Sequence, residues 1–345
     1  MKVVVFKFNH LGDNVVFVPV VQALRRHCPD WEVTLLTTPN AAELYGGPLG
    51  PHRLLTATKA AFDRSHLRPW RLLWWAWRIR RLKPDACLIA FDQGSVAHLV
   101  AKLSGARVRV GGNLENIKVK GSVTHVVPMP EDAAAATWNW RTALALAGAL
   151  ARADRWEKNP PAPDLGHLLG GPFPSRDARR RIIIHPGANR VMNQWMEPNF
   201  AAVARDLARD YDVVWISHAD TGTSAPAGAR AVAVSSLAEF SRWLMTADLF
   251  LGNNSGPMHV ANAVGVGGVV INGPSGFGWD PHWRREQWRV LRHPSLPCQP
   301  CEDPSVEVKT CANLAGPMSC LRYWTPERVA AACRQQLESS PPRAA

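Results

Sequence analysis

Short runs of β-branched and aliphatic residues alternate with stretches of helical periodicity along this chain, and the alternation starts twice. In the first half, Val3 to Phe8 predicts a strand, Val15 to Cys28 a helix and Trp31 to Thr37 a second strand. Ala86 to Phe91 and Val108 to Val110 add further strands. Near residues 154–180 the pattern breaks into Pro- and Gly-rich sequence, including Asn159-Pro160-Pro161-Ala162-Pro163 and Gly170-Gly171-Pro172. The alternation then resumes with strands at Ile182-Ile183-Ile184, Asp212 to Ser217, Leu249 to Gly252 and Val269 to Asn272. Helices are expected at Asn199 to Arg209 and Ser236 to Ala247. Strands that alternate with helices argue for a parallel sheet, because parallel neighbours need long crossovers. Two α/β units on either side of a linker suggest a cleft between domains.

At 345 residues the chain has length for two ordinary domains, and 46% hydrophobic content supplies their cores. No run of about 18 apolar residues suggests a membrane span. The opening Met1-Lys2-Val3-Val4-Val5-Phe6 enters a strand without the features of a signal peptide, so a cytoplasmic location is expected. The net charge of +12 suits an acidic partner such as a phosphate, nucleotide, anionic lipid or nucleic acid. No nucleic-acid-binding motif is present and the basic residues do not gather in one domain, so nucleic acid is not expected.

Two turns carry candidate chemistry. Gly252-Asn253-Asn254-Ser255-Gly256-Pro257-Met258-His259 lies between an apolar run and the helix-like Val260-Ala261-Asn262-Ala263. A strand, a small-residue turn and a helix aim backbone N–H groups and a positive helix end at an anion. Ser255 and Gly256 allow close approach of a phosphate, and Pro257 suits the first helical position. An ordinary βα turn is the plainer reading of this run taken alone. The first βα turn, Asn9-His10-Leu11-Gly12-Asp13-Asn14, has one glycine rather than G-x-G-x-x-G, which argues against a nicotinamide or flavin site. Asp13 stands where a helix begins, either as a cap or as a general base held by the helix end.

These segments together resemble glycosyltransferase family 9, the ADP-heptose:lipopolysaccharide heptosyltransferases and their relatives. Asn9 to Val15 with Val18 to Arg26 is similar to the family's opening loop and first helix. Phe91-Asp92-Gln93-Gly94-Ser95 with Leu103 to Ala106 resembles its middle segment. His185-Pro186-Gly187-Ala188, Trp195 to Phe200, Ala247 to His259, Gly273-Pro274-Ser275 and Leu321 to Glu327 follow in the family's order. The resemblance implies a GT-B fold of the α/β class, with two Rossmann-like domains facing across a cleft. It places an acceptor-side domain at 1–165 and a nucleotide-sugar domain at 175–325, with the helix 326–337 returning to the first. It implies an inverting transfer, without a catalytic cofactor, from a nucleotide sugar (an ADP-sugar, with heptose foremost) to an anionic lipopolysaccharide-type glycolipid or glycan. Asp13 would be the base, and Asn9, His10, Gly12 and Asn14 the acceptor-side loop. Asn254, Ser255, Gly256 and His259 would meet the donor, although a partly buried structural role serves His259 equally.

Two departures from the resemblance concern the donor. Members of the family that the chain resembles commonly carry lysine where this chain has Asn193, and aspartate where it has Asn254. Arg190 is near enough in sequence to replace the missing cation. The departures also motivate a non-catalytic member that binds sugar nucleotide or glycan, or a transferase with a different donor or a protein acceptor.

Two further features lie outside the turns. Cys298, Cys301, Cys311 and Cys320 suit one tetrahedral structural site for zinc or iron, with reduced structural thiols as the alternative. In Leu67 to Lys83, Trp70, Leu73, Trp74, Trp77 and Arg81 recur at helical spacing among arginines. Tryptophan with arginine favours the membrane–water interface, so peripheral contact with an anionic membrane is one reading. The plainer one is a surface helix that packs its Trp/Leu stripe on the sheet; both hold if only the outer tryptophans meet lipid.

Overall fold

A computed structural model describes residues 1–62, 68–112, 119–128, 134–218, 224–302, 310–313 and 316–341. The chain divides into two units, Met1–Asp164 and Leu165–Ala345. No helix among the described residues is long and apolar enough to cross a membrane.

The first unit begins with β1 (Lys2–Lys7), α1 (Leu11–Val15), α2 (Val18–His27), β2 (Glu32–Thr37) and β3 (Arg53–Thr56). It continues through α3 (Pro69–Arg81), β4 (Ala86–Ile89), α4 (Ser95–Leu103), β5 (Val108–Gly112), β6 (His125–Val127) and α5 (Ala135–Ala149). The strands form one parallel sheet in the order β3-β2-β1-β4-β5-β6. Val4, Phe6, Cys87 and Ile89 from the sheet close a core with Trp75 and Ile79 of α3 and Val100 of α4. The helix expected from Val15 to Cys28 is two helices, broken at Val16 and Phe17. Pro19 is the reason, because it has no N–H to donate and its ring crowds the carbonyl four residues back.

The second unit runs β7 (Arg181–His185), α6 (Glu197–Leu207), β8 (Asp212–His218), β9 (Arg230–Val234), α7 (Leu237–Met245) and β10 (Leu249–Asn253). Then come α8 (Gly256–Ala263), β11 (Gly268–Ile271), β12 (Trp288–Leu291), α9 (Ser319–Arg322) and α10 (Pro326–Glu338). Its sheet is also parallel, in the order β12-β11-β10-β7-β8-β9. Each unit therefore starts at the middle of its sheet, winds one way for three strands, then crosses back and winds the other way. This is the doubly wound order, whose switch point opens a crevice at the carboxyl ends of the two central strands. In the first unit those strands are β1 and β4; in the second they are β7 and β10.

Two expectations are corrected here. The final helix was expected to return to the first domain. Instead Val329, Ala330, Cys333 and Leu337 of α10 join the core of the second unit with Ile182, Leu251 and Val269. These residues form one apolar stripe at helical spacing, and that stripe meets α6 and the apolar face of the second sheet. The Trp/Leu stripe of α3 is not packed on the sheet either: Leu72, Trp75, Ala76 and Ile79 face inward while Trp70, Leu73, Trp74 and Trp77 are exposed.

At the amino end of the second sheet, Arg181 is fully buried. Its guanidinium donates to Asp212 at 2.7 Å, to Thr246 Oγ1 at 2.8 Å and to the Ser175 carbonyl at 2.7 Å. Its backbone N–H donates to Asp248 at 2.7 Å. Loss of one partner from a buried pair leaves the other charge uncompensated, which costs about 3–5 kcal/mol. Arg181→Ala is expected to lower stability by about that amount in urea denaturation; a change within about 0.5 kcal/mol, the range of ordinary surface substitutions, would contradict this role.

Candidate functional site

At the switch point of the first sheet, β1 ends on Lys7 and the turn after β4 carries Asp92. Lys7 is fully buried and its ammonium pairs with the Asp92 carboxylate, between the rings of Phe17 and Phe91 at 5.5 and 5.7 Å. Asn9 Nδ2 and Gln93 Nε2 donate to the same carboxylate, each at 2.9 Å. Gln93 also bonds Asn9 Oδ1 at 3.0 Å and accepts the Phe8 N–H at 2.9 Å. A buried lysine needs such a partner, and the partner in turn fixes the loop that follows β1.

Asp13 lies in that loop's helix, α1. Its Oδ2 accepts the His10 N–H at 3.0 Å, so it caps the helix start as well as facing the site charges. Burial pushes its carboxyl up to about 6, reinforced by Asp92 and opposed by Lys7, the His10 N–H and Lys59. Lys59 also reaches His10 Nε2 at 3.1 Å. Asn14 is buried as a clamp: it donates to the carbonyls of Asn9 and His10 and accepts from Thr37 and Tyr45. Gly12 is buried as well, which leaves Asn9, His10 and Asp13 as the more open members of the expected loop. From the sequence, Asp92 and Gln93 are named only as part of a resembling segment, without a site role, and Lys7 and Lys59 are given none. A lysine closing an apolar strand was the available signal for Lys7.

At the second switch point, β10 leads through Asn254 and Ser255 into α8. Ser255 is the N-cap, so Pro257 occupies the second helical position rather than the first. The first N–H groups of a helix have no acceptor within it, and they carry its positive end. Asn193 Nδ2 donates to the Asn254 carbonyl at 3.0 Å and to Ser275 Oγ at 3.3 Å. Asn253 ties the strand end to Trp195 and to the Pro186 carbonyl. Buried polar atoms without a partner collect at this edge of the sheet: His185 Nδ1, Asn193 Oδ1, Asn254 Nδ2, His259 Nδ1 and Asn272 Oδ1. His185 and His259 are held neutral by burial, each pushed down to about 4.

Arg190, the candidate replacement for the lysine, is engaged within the protein. Its guanidinium meets the buried Glu302 carboxylate in a two-pronged pair, one prong at 2.9 Å, so its charge is largely neutralised. Cys298, Cys301, Cys311 and Cys320 all line one cavity of about 20 Å³, together with Met192, Gly273, Pro274 and Gln299. Among the described residues, no three His, Cys, Asp or Glu side chains stand at metal-ligating spacing. Burial raises the thiols of Cys301 and Cys320, and the neighbouring sulfurs add to both.

Comparison with known proteins gives the following. The profile of "Glycosyltransferase family 9 (heptosyltransferase)" matches residues 132–312. Lipooligosaccharide heptosyltransferase 2 of Campylobacter jejuni is 33% identical over 93 residues. That segment spans 27% of this chain and only 27% of the relative. Escherichia coli heptosyltransferase WaaC with ADP-2-deoxy-2-fluoro heptose superposes with a TM-score of 0.68 at 17% identity, covering 98% of this chain and 99% of that one. The iron-containing dodecameric glycosyltransferase TibC of enterotoxigenic E. coli gives 0.60 at 16% identity, covering 98% and 76%. These likenesses are to GT-B folds, and this chain has that fold.

The elevated Asp13 carboxyl makes a prediction about stability. An acid whose folded value lies above its ordinary 3.8 favours folding while protonated, and that contribution fades as pH rises through about 6. Asparagine stays neutral and still accepts the His10 N–H. Asp13→Asn should therefore gain stability over the wild type progressively between those pH values, then hold a constant advantage. Parallel urea titrations across pH check this, and a wild type that stays the more stable above pH 6 would contradict it.

Proposed function

The chain belongs to glycosyltransferase family 9, and from that premise we propose that it is an inverting heptosyltransferase acting on a cell-surface glycan. The donor is ADP-heptose and the acceptor an anionic lipopolysaccharide-type glycolipid, encountered in the cytoplasm. The single observation that carries the mechanism is Asp13, a half-buried carboxyl pushed up to about 6 beside the Lys7–Asp92 pair. A base near that value is ionised at neutral pH yet still takes a proton readily. The acceptor hydroxyl gives its proton to Asp13, its oxygen bonds to the anomeric carbon, and the bond to the diphosphate breaks with the electron pair leaving on ADP. Lys7, itself sealed by Asp92, stabilises the ionised Asp13 without being spent on substrate.

On the second unit, the start of α8 at Ser255 and Gly256 supplies N–H donors and a positive helix end to the diphosphate. The orphaned atoms of Asn193, Asn254 and His259 offer neutral hydrogen bonds to donor oxygens. No catalytic cofactor enters the scheme. WaaC with an ADP-heptose analogue supports the donor class. One observation favours a second reading, a member that binds sugar nucleotide without turnover: Asn193 and Asn254 carry no charge, and Glu302 occupies Arg190.

Turnover and donor binding separate the two readings. Asp13→Asn should reduce transfer by on the order of 10²–10⁴-fold with ADP-sugar affinity nearly unchanged. The wild-type rate should fall as pH drops through about 6. Near-normal turnover by the folded variant removes Asp13 as base. ADP-sugar binding without transfer in the wild type favours the second reading, and failure of a panel of nucleotide sugars to bind at all defeats both.

Four cysteines lining one small cavity are a donor set that supports a structural metal, although binding would have to draw the thiols closer together than they stand here. Cys298, Cys301, Cys311 and Cys320 would hold one zinc or iron, for which the iron-containing TibC is a precedent. Bound there, the ion would replace four thiol protons and fasten the segment after β12, leaving no position for substrate. Elemental analysis of protein purified without added metal should find about one equivalent. Stoichiometric absence, with all four thiols alkylated in the native protein, would refute it.

A further inference from the structure

Helix α3 presents two apolar stripes. Leu72, Trp75, Ala76 and Ile79 form the inner one, which packs on the first unit's core. Trp70, Leu73, Trp74 and Trp77 form the outer one, at 60, 64, 47 and 53% exposure. The two stripes are offset by two residues, about 200° around a helix, so the outer one points almost directly away from the core. A contiguous exposed patch with three tryptophans is more than the scattered apolar exposure of an ordinary surface.

The charge around this stripe has one sign. Arg68, Arg71, Arg80, Arg81 and Lys83 are exposed and Arg78 is half-buried, and residues 68–83 contain no Asp or Glu. Three guanidinium groups lie over the outer rings: Arg68 over Trp70 at 5.3 Å, Arg78 over Trp74 at 5.0 Å and Arg81 over Trp77 at 4.8 Å. These contacts hold cations and indoles at one level. A purely apolar protein partner would leave these charges to be desolvated without a counter-ion. A surface with anionic headgroups above an apolar layer satisfies both, because indoles favour the headgroup level and basic side chains favour anionic lipid.

From this geometry we infer that the outer face of α3 docks on an anionic phospholipid bilayer, with the helix lying in the plane of the interface. The inner face ties the dock to the Asp13 loop. Trp75 packs on Phe62 with ring centroids 5.4 Å apart, and Phe62 stacks on Phe8 at 3.8 Å, one residue before that loop begins. Docking at α3 therefore holds the loop close to the bilayer surface, whatever reaction the loop performs. The inference rests on α3 and stands apart from the transferase reading.

The test is vesicle flotation of the full chain, using phosphatidylcholine with and without phosphatidylglycerol. The wild type should float with the anionic vesicles, remain free of the neutral ones and dissociate as salt is raised. Trp74→Ser/Trp77→Ser should weaken binding by on the order of tenfold or more, since partition follows buried apolar area. Arg71→Gln and Arg81→Gln should each weaken it roughly fivefold, the worth of one basic side chain at an anionic surface. An unchanged urea midpoint shows that the tryptophan variant has folded. The arginine variants provide an independent arm if it has not. No flotation with anionic vesicles, or equal flotation of wild type and all variants, overturns the inference. So does a wild-type dimer that the tryptophan variant turns to monomer by sedimentation equilibrium, because a second copy would then cover the face.

Discussion

Parallel strands cannot be joined by tight turns, and that constraint organises both units. Each crossover must carry the chain back to the sheet's amino edge, so every strand's carboxyl end opens onto a loop. With the order β3-β2-β1-β4-β5-β6, the chain leaves β1 on one side and β4 on the other. The loops after these neighbours diverge, and Lys7, Asp13 and Asp92 sit where they part. The order β12-β11-β10-β7-β8-β9 repeats the arrangement and brings His185 together with Asn253, Asn254 and Ser255. Neither site needs a special fold feature; both follow from a sheet that begins in its middle.

The two sites then differ in how they manage charge. In the first, a buried lysine pairs with Asp92 and is hemmed by aromatic rings, and a second carboxyl, Asp13, is left near this pair in a half-buried position. Desolvation outweighs the lysine's attraction, so the acid rises. In the second, among the described residues, Arg190 is matched by Glu302 and Arg292 by Asp280. What remains is neutral: asparagine amides, imidazoles kept uncharged by burial, and the backbone of a helix start. In the proposed function such a set would bind an anion through oriented dipoles, which need little reorganisation when charge develops on a leaving group.

The strands that escaped the sequence reading share one property. β3, β6, β9 and β12 are the four edges of the two sheets, while the strands read correctly lie inside them. An inner strand of a doubly covered parallel sheet is buried on both faces and reads as an unbroken apolar run, as Val3 to Phe6 and Ile182 to Ile184 do. Edge strands are partly exposed and their apolar runs are short or interrupted, as in His125-Val126-Val127 and Trp288-Arg289-Val290-Leu291. The α3 stripe misled for the related reason that periodicity marks an apolar face without saying which way it points.

Local chemistry in the sequence by itself determined the alternation of strand and helix, the division into two α/β units, the small-residue turn before α8 and the acid in the first βα turn. These are matters of near neighbours: side-chain period, backbone freedom and helix ends. Only the tertiary structure decided which partners those residues meet. It set Lys7 against Asp92 across 85 positions of sequence, assigned Arg190 to Glu302 across 112, gathered four cysteines around one cavity and turned the tryptophans of α3 outward. Each of these depends on distances across the sheet or on which face a helix buries, and no local pattern encodes either.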